Sequence, residues 1–425
     1  MQLTSGPRSA TVRNRLRAAA CLLFAAGTGA ASATPARADD APKWQLDASG
    51  LLYGETQRAT VLEPNAKITR LFSNGQRLSA ALGIDVITGA SPTGALPTGE
   101  MQTVTTPSGN VSTHLAGEIP TKRFHDTRGV ADVDYLLPIT GWLTTTAGGH
   151  FSREKDYQSR GLNGTVAISF LHRLTTLTLG AGRNDDDVFP RGGTRAPLSD
   201  GSVLLTTGWN PKRVRSDMVG LSRILTRRLM VGFDATRTRE RGYLTDPYKV
   251  VSIVDATSGA PIGQLTESRP DSRDRRDVLA SGVYHFTQDI GYASYRYYWD
   301  DWGVRSHTID LKVRHDLENH AFFQPHLRYY FQTRATFYRA GLVQGAPLPR
   351  YATSDERLGD LRTLTLGGTY GWKPQNTPGT FTLRGEYIRQ WGHGQETGDF
   401  GDEQQFDIQP PVDIGSLLLT YSVRF

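Results

Sequence analysis

Charged side chains recur at every second position in the segment 304–316. Asp310, Lys312 and Arg314 alternate there with aliphatic residues. Because successive side chains of a β-strand point to opposite faces, this pattern predicts a strand with one charged face and one apolar face. Fixed charges of both signs that line a water-filled space can bind polar solutes or set a preference among ions. The charged face is therefore a candidate solute-binding surface.

The same alternation occurs in other segments. In 322–335, for example, Phe323 and Leu327 fall on one face, while His326 and Arg328 fall on the other. The charged residues that we predict to line one interior are Asp310, Lys312, Arg314, Arg296, Arg328, Arg334, Arg384 and Glu386. As an alternative, these charges pair with each other as a solvated structural network.

The sequence offers little that could perform catalysis. It contains no His-Glu-x-x-His, Gly-x-Ser-x-Gly or P-loop motif. Ser306 and His307 are adjacent, and adjacent residues of a strand point to opposite faces, so they do not form a nucleophile and base. Cys21 is the single cysteine. We therefore predict no catalytic residue, no cofactor and no metal site, and we do not expect an enzyme.

The first 38 residues have the features of a secretory signal peptide. Arg13, Arg15 and Arg17 precede the apolar run 18–26, which is too short to span a bilayer as a helix. Five of the 48 basic residues and none of the 42 acidic ones lie in 1–38. The remaining chain is almost neutral, with 43 basic and 42 acidic residues, so we expect no nucleic-acid partner.

Residues 39–425 repeat one pattern, and we predict that they form a single domain. Pairs of strand-like segments joined by a short turn alternate with longer polar loops, and Asn74-Gly75 is a strong hairpin signal. We count about sixteen candidate strands, with fourteen or eighteen as alternatives, and place the short turns and long loops on opposite sides. This predicts an all-β fold, a transmembrane antiparallel up-and-down β-barrel. If the long loop 89–124 folds inward, it would constrict or close the interior.

The tryptophans follow the same register. Six of the seven lie at predicted strand ends: Trp44, Trp142 and Trp372 on the short-turn side, and Trp299, Trp302 and Trp391 on the long-loop side. Aromatic girdles at both membrane interfaces are typical of transmembrane barrels. We predict that these side chains belong to such girdles.

The segment 417–425 alternates between apolar and mostly polar side chains and stops on an aromatic ring. It predicts an amphipathic strand that closes the barrel against the strand near Trp44. A final strand of this kind resembles the C-terminal signal that assembly machinery reads in bacterial outer-membrane barrels. This resemblance makes Tyr421 and Phe425 the candidate assembly signal and the barrel-assembly machinery an expected partner.

Six further segments carry a family resemblance. They are TGASPTGA at 88–95, DTR at 126–128, EKDY at 154–157, YLTDPYK at 243–249, ESRPDSR at 267–273 and YRYYWDDWGVRSHT at 295–308. Together they resemble the bacterial family catalogued as domain of unknown function 3570. The resemblance implies an outer-membrane barrel with no catalytic residues to carry over, and a link to envelope redox or metal handling.

Three functions are compatible with these patterns. The first is a porin-like channel or transporter for small solutes or ions in the bacterial outer membrane, reached by signal-peptide export. The second is a non-conducting barrel that docks or assembles with a periplasmic partner in envelope redox or metal handling. The third is a barrel enzyme such as a lipase or protease. In each case we expect outer-membrane lipid and lipopolysaccharide around the barrel.

Overall fold

The structure is a computed structural model that describes residues 43–105, 111–318, 320–392, 401–406 and 408–425. The predicted signal peptide, 1–38, lies outside the described residues. Within them the chain forms strands, turns and two short 3-10 helices, Glu356–Leu358 and Gly401–Gln405. No helix in the described part of the chain is long and apolar enough to cross a membrane.

The strands, in chain order, are β1 Lys43–Glu55, β2 Ala59–Leu71, β3 Arg77–Pro92, β4 Gln102–Thr105, β5 Val111–His114, β6 Thr121–Pro138, β7 Leu143–Arg153, β8 Tyr157–Phe170, β9 Thr175–Val188, β10 Thr194–Arg195, β11 Leu204–Thr206, β12 Asn210–Thr226, β13 Leu229–Gly242, β14 Val250–Val254, β15 Pro261–Thr266, β16 Ser272–His285, β17 Asp289–Asp300, β18 Arg305–Asp316, β19 Phe322–Gln332, β20 Gly341–Val343, β21 Leu361–Trp372, β22 Thr380–Gly392 and β23 Val412–Arg424. Seven of them (β4, β5, β10, β11, β14, β15 and β20) are short and lie in the connections between longer strands.

The sixteen long strands of the described chain form one closed antiparallel barrel. Each pairs with the next long strand along the chain, and β1 pairs with β23 to close the ring. Trp44 and Phe425 exchange backbone hydrogen bonds of 2.8 and 2.9 Å across this seam. Because closure leaves no free strand edge, the backbone groups of the wall are satisfied within the sheet, as a lipid environment demands. The prediction of a sixteen-stranded up-and-down barrel is confirmed.

The two ends of the barrel differ. At the short-turn end, consecutive strands are joined by 72–76, 139–142, 171–174, 227–228, 286–288, 317–321 and 373–379. At the long-loop end the connections include 93–120, 189–209, 243–271 and 333–360, together with three short ones, 56–58, 154–156 and 301–304. In transmembrane barrels the short turns face the periplasm and the long loops face the exterior.

The outer face of the wall carries a band of exposed apolar side chains. Leu82, Phe233 and Leu366 point outward and are 68%, 53% and 50% exposed. An apolar surface that continues around a closed barrel is unfavourable in water and matches the lipid-facing band of a transmembrane barrel. The inner face carries the polar side chains of the same strands, as the alternation predicts.

Two sequence predictions are wrong at the long-loop end. The strand predicted over 322–335 ends at Gln332, so Arg334 lies in the following loop and not on the lumen wall. Trp302 is 3% exposed and packs edge-on against Phe337 at a ring distance of 5.1 Å, so it is not part of a girdle. Both errors arise because loops fold back over the strand ends.

The two faces of β23 give a direct test of the membrane-spanning orientation. Leu419 points outward and is 46% exposed, whereas the adjacent Thr420 points inward and pairs with Thr382. We expect Leu419→Arg to lower the free energy of unfolding in lipid vesicles by about 2–4 kcal/mol, because it places a charge in the lipid-facing band. Thr420→Arg should change it by less than about 1 kcal/mol. Equal losses in urea titrations would contradict this orientation.

Candidate functional site

Four of the predicted interior charges belong to a continuous row on the lumen wall, with His326 at its centre. His326 Nε2 lies 2.9 Å from Asp310 Oδ2, and His326 Nδ1 lies 2.9 Å from Glu386 Oε1. Lys312 Nζ is 3.1 Å from Asp310 Oδ1, and Arg384 Nε is 3.7 Å from Glu386 Oε1. We call these five residues the wall row. Each of its carboxylates lies between two basic side chains, which stabilises both charges.

Gly367 makes room for the wall row. His326 pairs in register with Gly367 on β21, which in turn pairs with Glu386 on β22. The imidazole therefore reaches Glu386 across a whole strand, over a position that has no side chain. A Cβ at Gly367 would lie 2.6 Å from Glu386 Cγ, closer than packed atoms come.

The wall row is open to water from the short-turn end. Its outermost side chains, those of Arg384 and Lys312, are 43% and 35% exposed, whereas the side chain of Glu386 is 13% exposed. The two cations thus meet solvent first, and the carboxylates lie behind them. The short-turn end of the lumen is a polar vestibule with fixed charges of both signs.

Three other predicted lumen residues, Arg314, Arg328 and Arg296, lie on the same inner face but outside the wall row, whereas Arg334 lies in the loop after β19. Arg314 donates a 2.8 Å hydrogen bond to Asp316 near the short-turn end. Arg328 is the register partner of Asp310. Arg296 Nε lies 3.4 Å from Asp277 Oδ1 on a neighbouring strand. Much of the interior charge is therefore paired, in agreement with the network alternative.

Sequence analysis places His326 on the inner face but gives no sign of its central position. That position depends on which strands are neighbours and on their register. Gly367 indicates a contact between His326 and Glu386 only once β21 is known to lie between β19 and β22. Alternation alone therefore could not have identified the contact between His326 and Glu386.

At the long-loop end the lumen is filled. Inward-facing side chains there are between 1% and 6% exposed around most of the ring: Val61, Asp85, Asp126, Ser152, Ser159, Asp186, Thr238, Arg275, Ser306, Gln332, Leu361 and Val412. The covering groups come from the described parts of the loops 93–120, 189–209, 243–271 and 333–360, which we call the plug. The loop after β3 does fold inward, because Ala95 and Val104 pack against Val250.

Buried ion pairs hold the plug together. The side chains of Arg269 and Asp355 are each 1% exposed, and they lie 2.9 Å apart. Arg269 also lies 2.6 Å from Glu267, and Arg357 lies 2.6 Å from Asp355 and 2.9 Å from Asp246. We call these five residues the plug network. Removing one partner of such a buried pair leaves an uncompensated charge and costs about 3–5 kcal/mol.

The plug network sets the ionisation of its own acids. Burial opposes the ionised form of Asp355, but the charges of Arg357, Lys249 and Arg269 outweigh it and hold the pKa of Asp355 well below its usual range. At Glu267 burial dominates, and the pKa is raised despite the contact with Arg269. Asp355 therefore stays ionised in the plug, where it contacts both Arg269 and Arg357.

Three carboxylates also meet beside the plug. In the described part of the chain, Asp126, Glu154 and Asp156 are the acidic side chains close enough to share a metal ion, with oxygens within 4.8 Å of one another. Burial, together with the charges of Asp126 and Asp156, raises the pKa of Glu154 well above its usual range. Tyr248 donates a 2.5 Å hydrogen bond to Asp156. A protonated Glu154 explains this close approach without a cation.

The segments that carry the family resemblance meet at this end of the barrel. Segments 126–128 and 154–157 supply the three carboxylates, while 243–249 and 267–273 supply Asp246, Glu267 and Arg269. From segment 88–95, the Pro92 carbonyl accepts a hydrogen bond from Lys249. The segments that carry the family resemblance therefore belong mostly to the plug and to the strand ends around it, and not to the wall row.

A closed sixteen-strand barrel with a lipid-facing outer surface and a polar interior is a transmembrane β-barrel. Residues 13–423 match the family described as "Protein of unknown function (DUF3570)", so the chain belongs to that family. No curated protein sequence matches the chain.

Two solved structures that are similar to this chain are TodX and OccD3. A deletion mutant of TodX, described as a monoaromatic hydrocarbon channel, is 10% identical with a TM-score of 0.41, over 91% of each chain. OccD3 (OpdP) of Pseudomonas aeruginosa is 9% identical with a TM-score of 0.43, also over 91% of each chain.

The role of Gly367 is open to direct measurement. We expect Gly367→Ala to lower the free energy of unfolding by about 1–3 kcal/mol, because its methyl group collides with Glu386 and with the backbone of Gly385. Gly415→Ala is the matched control, since a Cβ at Gly415 meets nothing within 4 Å. Urea titrations in vesicles should separate the two variants, and indistinguishable midpoints would exclude the proposed spacing role.

Neutralising two buried acids of the long-loop end should change the stability of the plug to very different extents. Asp355→Asn should destabilise the plug at pH 7 by about 3 kcal/mol, because it leaves Arg269 and Arg357 without their shared carboxylate. Glu154→Gln should cost little or stabilise the plug, because it retains the neutral state that burial favours. Hydrogen exchange of plug amides measures both effects.

The pH dependence follows from the directions of the two pKa shifts. The contribution of Asp355 is present above its unfolded value of about 3.8 and is lost as the pH falls through its folded pKa. The contribution of Glu154 is present below its unfolded value and is lost as the pH rises through its folded pKa. The hydrogen-exchange protection of plug amides in Glu154→Gln, relative to wild type, should therefore increase as the pH rises. A difference that does not change with pH would contradict the raised pKa of Glu154.

Proposed function

We propose that this protein is a porin-like channel of the bacterial outer membrane, for small polar solutes or ions, which its own plug closes in the conformation described above. The observation that carries the proposal is the vestibule: the polar, charge-lined half of a sixteen-strand lumen that opens to water at the short-turn end. A barrel of this size has an interior too wide for wall side chains alone to fill. The apolar outer face supports a location in the membrane.

The distribution of charge suggests the kind of solute. On one side of the lumen, Arg328 and the ion pair of Arg314 with Asp316 lie beside the wall row. On the opposite side, Asp132 and Asp134 of β6 face inward, and Asp132 lies 2.6 Å from His150. Fixed charges of both signs favour small polar solutes over large apolar ones.

The plug determines when such a channel conducts. Its network of buried ion pairs lies across the long-loop end, so passage requires part of the plug to move. Displacing it breaks the contacts of Arg269 and Arg357 with Asp355. A low open probability at rest follows from this closed arrangement.

A second candidate function has its own support. If the plug never moves, the vestibule is a polar cavity that faces the short-turn side alone. Such a cavity suits the docking of a periplasmic partner. The depth of burial of Arg269 and Asp355 favours this non-conducting alternative.

Planar-bilayer recordings distinguish the two functions. For a channel, we expect sparse openings of the wild-type protein and an open probability at least about tenfold higher for Asp355→Asn, because a lost ion pair of 1.4 kcal/mol or more shifts the equilibrium by that factor. Asp316→Asn, at the exposed short-turn end and far from the plug, is the control and should leave the open probability at the wild-type value. Silent recordings from both the wild-type protein and Asp355→Asn, with folding verified by circular dichroism, would favour the docking function.

A further inference from the structure

Outside the lumen, one sector of the wall carries a dense group of charges on its outward face. It lies at the long-loop end of the neighbouring strands β8, β9, β12, β13 and β16. On the outward faces of these ends we count eight arginines and four aspartates: Arg160, Arg183, Arg213, Arg215, Arg237, Arg239, Arg241, Arg276, Asp185, Asp187, Asp217 and Asp274. We call this sector the outer arginine patch. Its net charge is positive.

Strand register places arginines side by side within the patch. Arg215 is the register partner of both Arg183 and Arg239, so three guanidinium groups follow one another across three strands. Arg213 likewise faces Arg241. Like charges at directly opposed positions destabilise a sheet unless an anion lies between them.

The aspartates neutralise only part of this charge. Asp217 pairs with Arg239 at 2.6 Å, and Asp274 pairs with Arg237 at 2.6 Å and with Arg276 at 3.2 Å. Asp185 pairs with Arg183 at 2.8 Å and with Arg213 at 3.1 Å, so eight arginines share four aspartates. The guanidinium groups stay accessible, since the Arg237 and Arg239 side chains are 48% and 43% exposed. The patch therefore retains cationic groups that a partner can reach.

The patch borders the lipid-facing band without a gap. One register step towards the short-turn end, the outward side chains form the apolar row Leu179, Val219, Ala235 and Val278. The following strand, β17, has Tyr295, Tyr297 and Trp299 at the same heights, where an aromatic girdle marks the membrane interface. The arginines thus lie at the level of lipid headgroups, directly above the acyl chains.

We propose that the outer arginine patch binds the phosphate groups of a phosphorylated glycolipid of the outer leaflet, with the acyl chains of that lipid resting on the apolar row below. Arginine suits this ligand because its planar fork of N–H donors binds phosphate oxygens in pairs. A phosphate above Arg215 would add an anion between Arg183 and Arg239, each of which shares one aspartate with the rest of the net positive patch. This inference rests on the membrane location proposed above but not on conduction.

The test measures lipid binding to the full-length protein in detergent by native mass spectrometry. The probes are bis-phosphorylated lipid A, the same lipid A without phosphates, and inorganic phosphate. The patch variant is the triple substitution Arg215→Gln, Arg239→Gln and Arg241→Gln. The matched control is Arg223→Gln, Arg362→Gln and Arg389→Gln, three outward arginines away from the patch.

The patch variant should bind bis-phosphorylated lipid A about tenfold to a hundredfold more weakly than wild type, since each basic residue near an anionic lipid surface contributes about 1 kcal/mol. The control should change by less than about twofold. Wild-type protein should bind dephosphorylated lipid A as weakly as the patch variant does. Inorganic phosphate alone should bind far more weakly than the lipid.

Four results would overturn the proposal. In the first, the patch variant binds lipid A as tightly as wild type does. In the second and third, wild type binds both forms of lipid A equally, or binds inorganic phosphate as tightly as the lipid. In the fourth, the patch variant no longer self-associates but still binds lipid A. The last would identify the patch as a contact between copies. Because bilayer conductance is read separately, failure here leaves the channel proposal standing, and a silent channel leaves this one standing.

Discussion

Closure of the hydrogen-bonded ring is the constraint on which the rest of this structure depends. In a bilayer no water reaches the backbone, so a strand with a free edge would leave donors and acceptors unsatisfied. The pairing of β1 with β23, completed by the exchange between Trp44 and Phe425, removes both edges. Once the ring is closed, each side chain must face either lipid or lumen. The alternation of apolar and polar residues along the barrel strands follows from this constraint.

Closing sixteen strands creates a second problem, because the interior is wider than wall side chains can fill. The protein treats the two halves of the lumen differently. Near the short turns, polar side chains line the space and the wall row stays partly exposed. Near the long loops, protein fills the space and encloses charges such as Arg269 and Asp355. Such pairs fix one arrangement of loops more than they raise stability, because their desolvation offsets much of their attraction.

Sequence analysis could predict what depends on alternation and chain order. The strand number, the outward apolar face and the inward position of Asp310, Lys312 and Glu386 follow from a period of two and from loop lengths. It could not predict the plug, because Arg269 and Asp355 are 86 residues apart, and Arg357 and Asp246 are 111 residues apart. Trp302 shows the same limit: its position at a strand end suggested a girdle, but its burial depends on the loop that contains Phe337.

The contacts of Arg58 have a consequence for how the molecule comes to be built. Arg58 lies in the first connection of the barrel and forms an ion pair with Glu356, 298 residues later in the chain. Contacts so distant in sequence carry a large loop-closure entropy until the intervening strands are ordered. We therefore expect the plug to be ordered late, after the intervening strands have paired. A barrel that is still being assembled would then be open at its long-loop end, and the ordering of the plug would mark the completion of the wall.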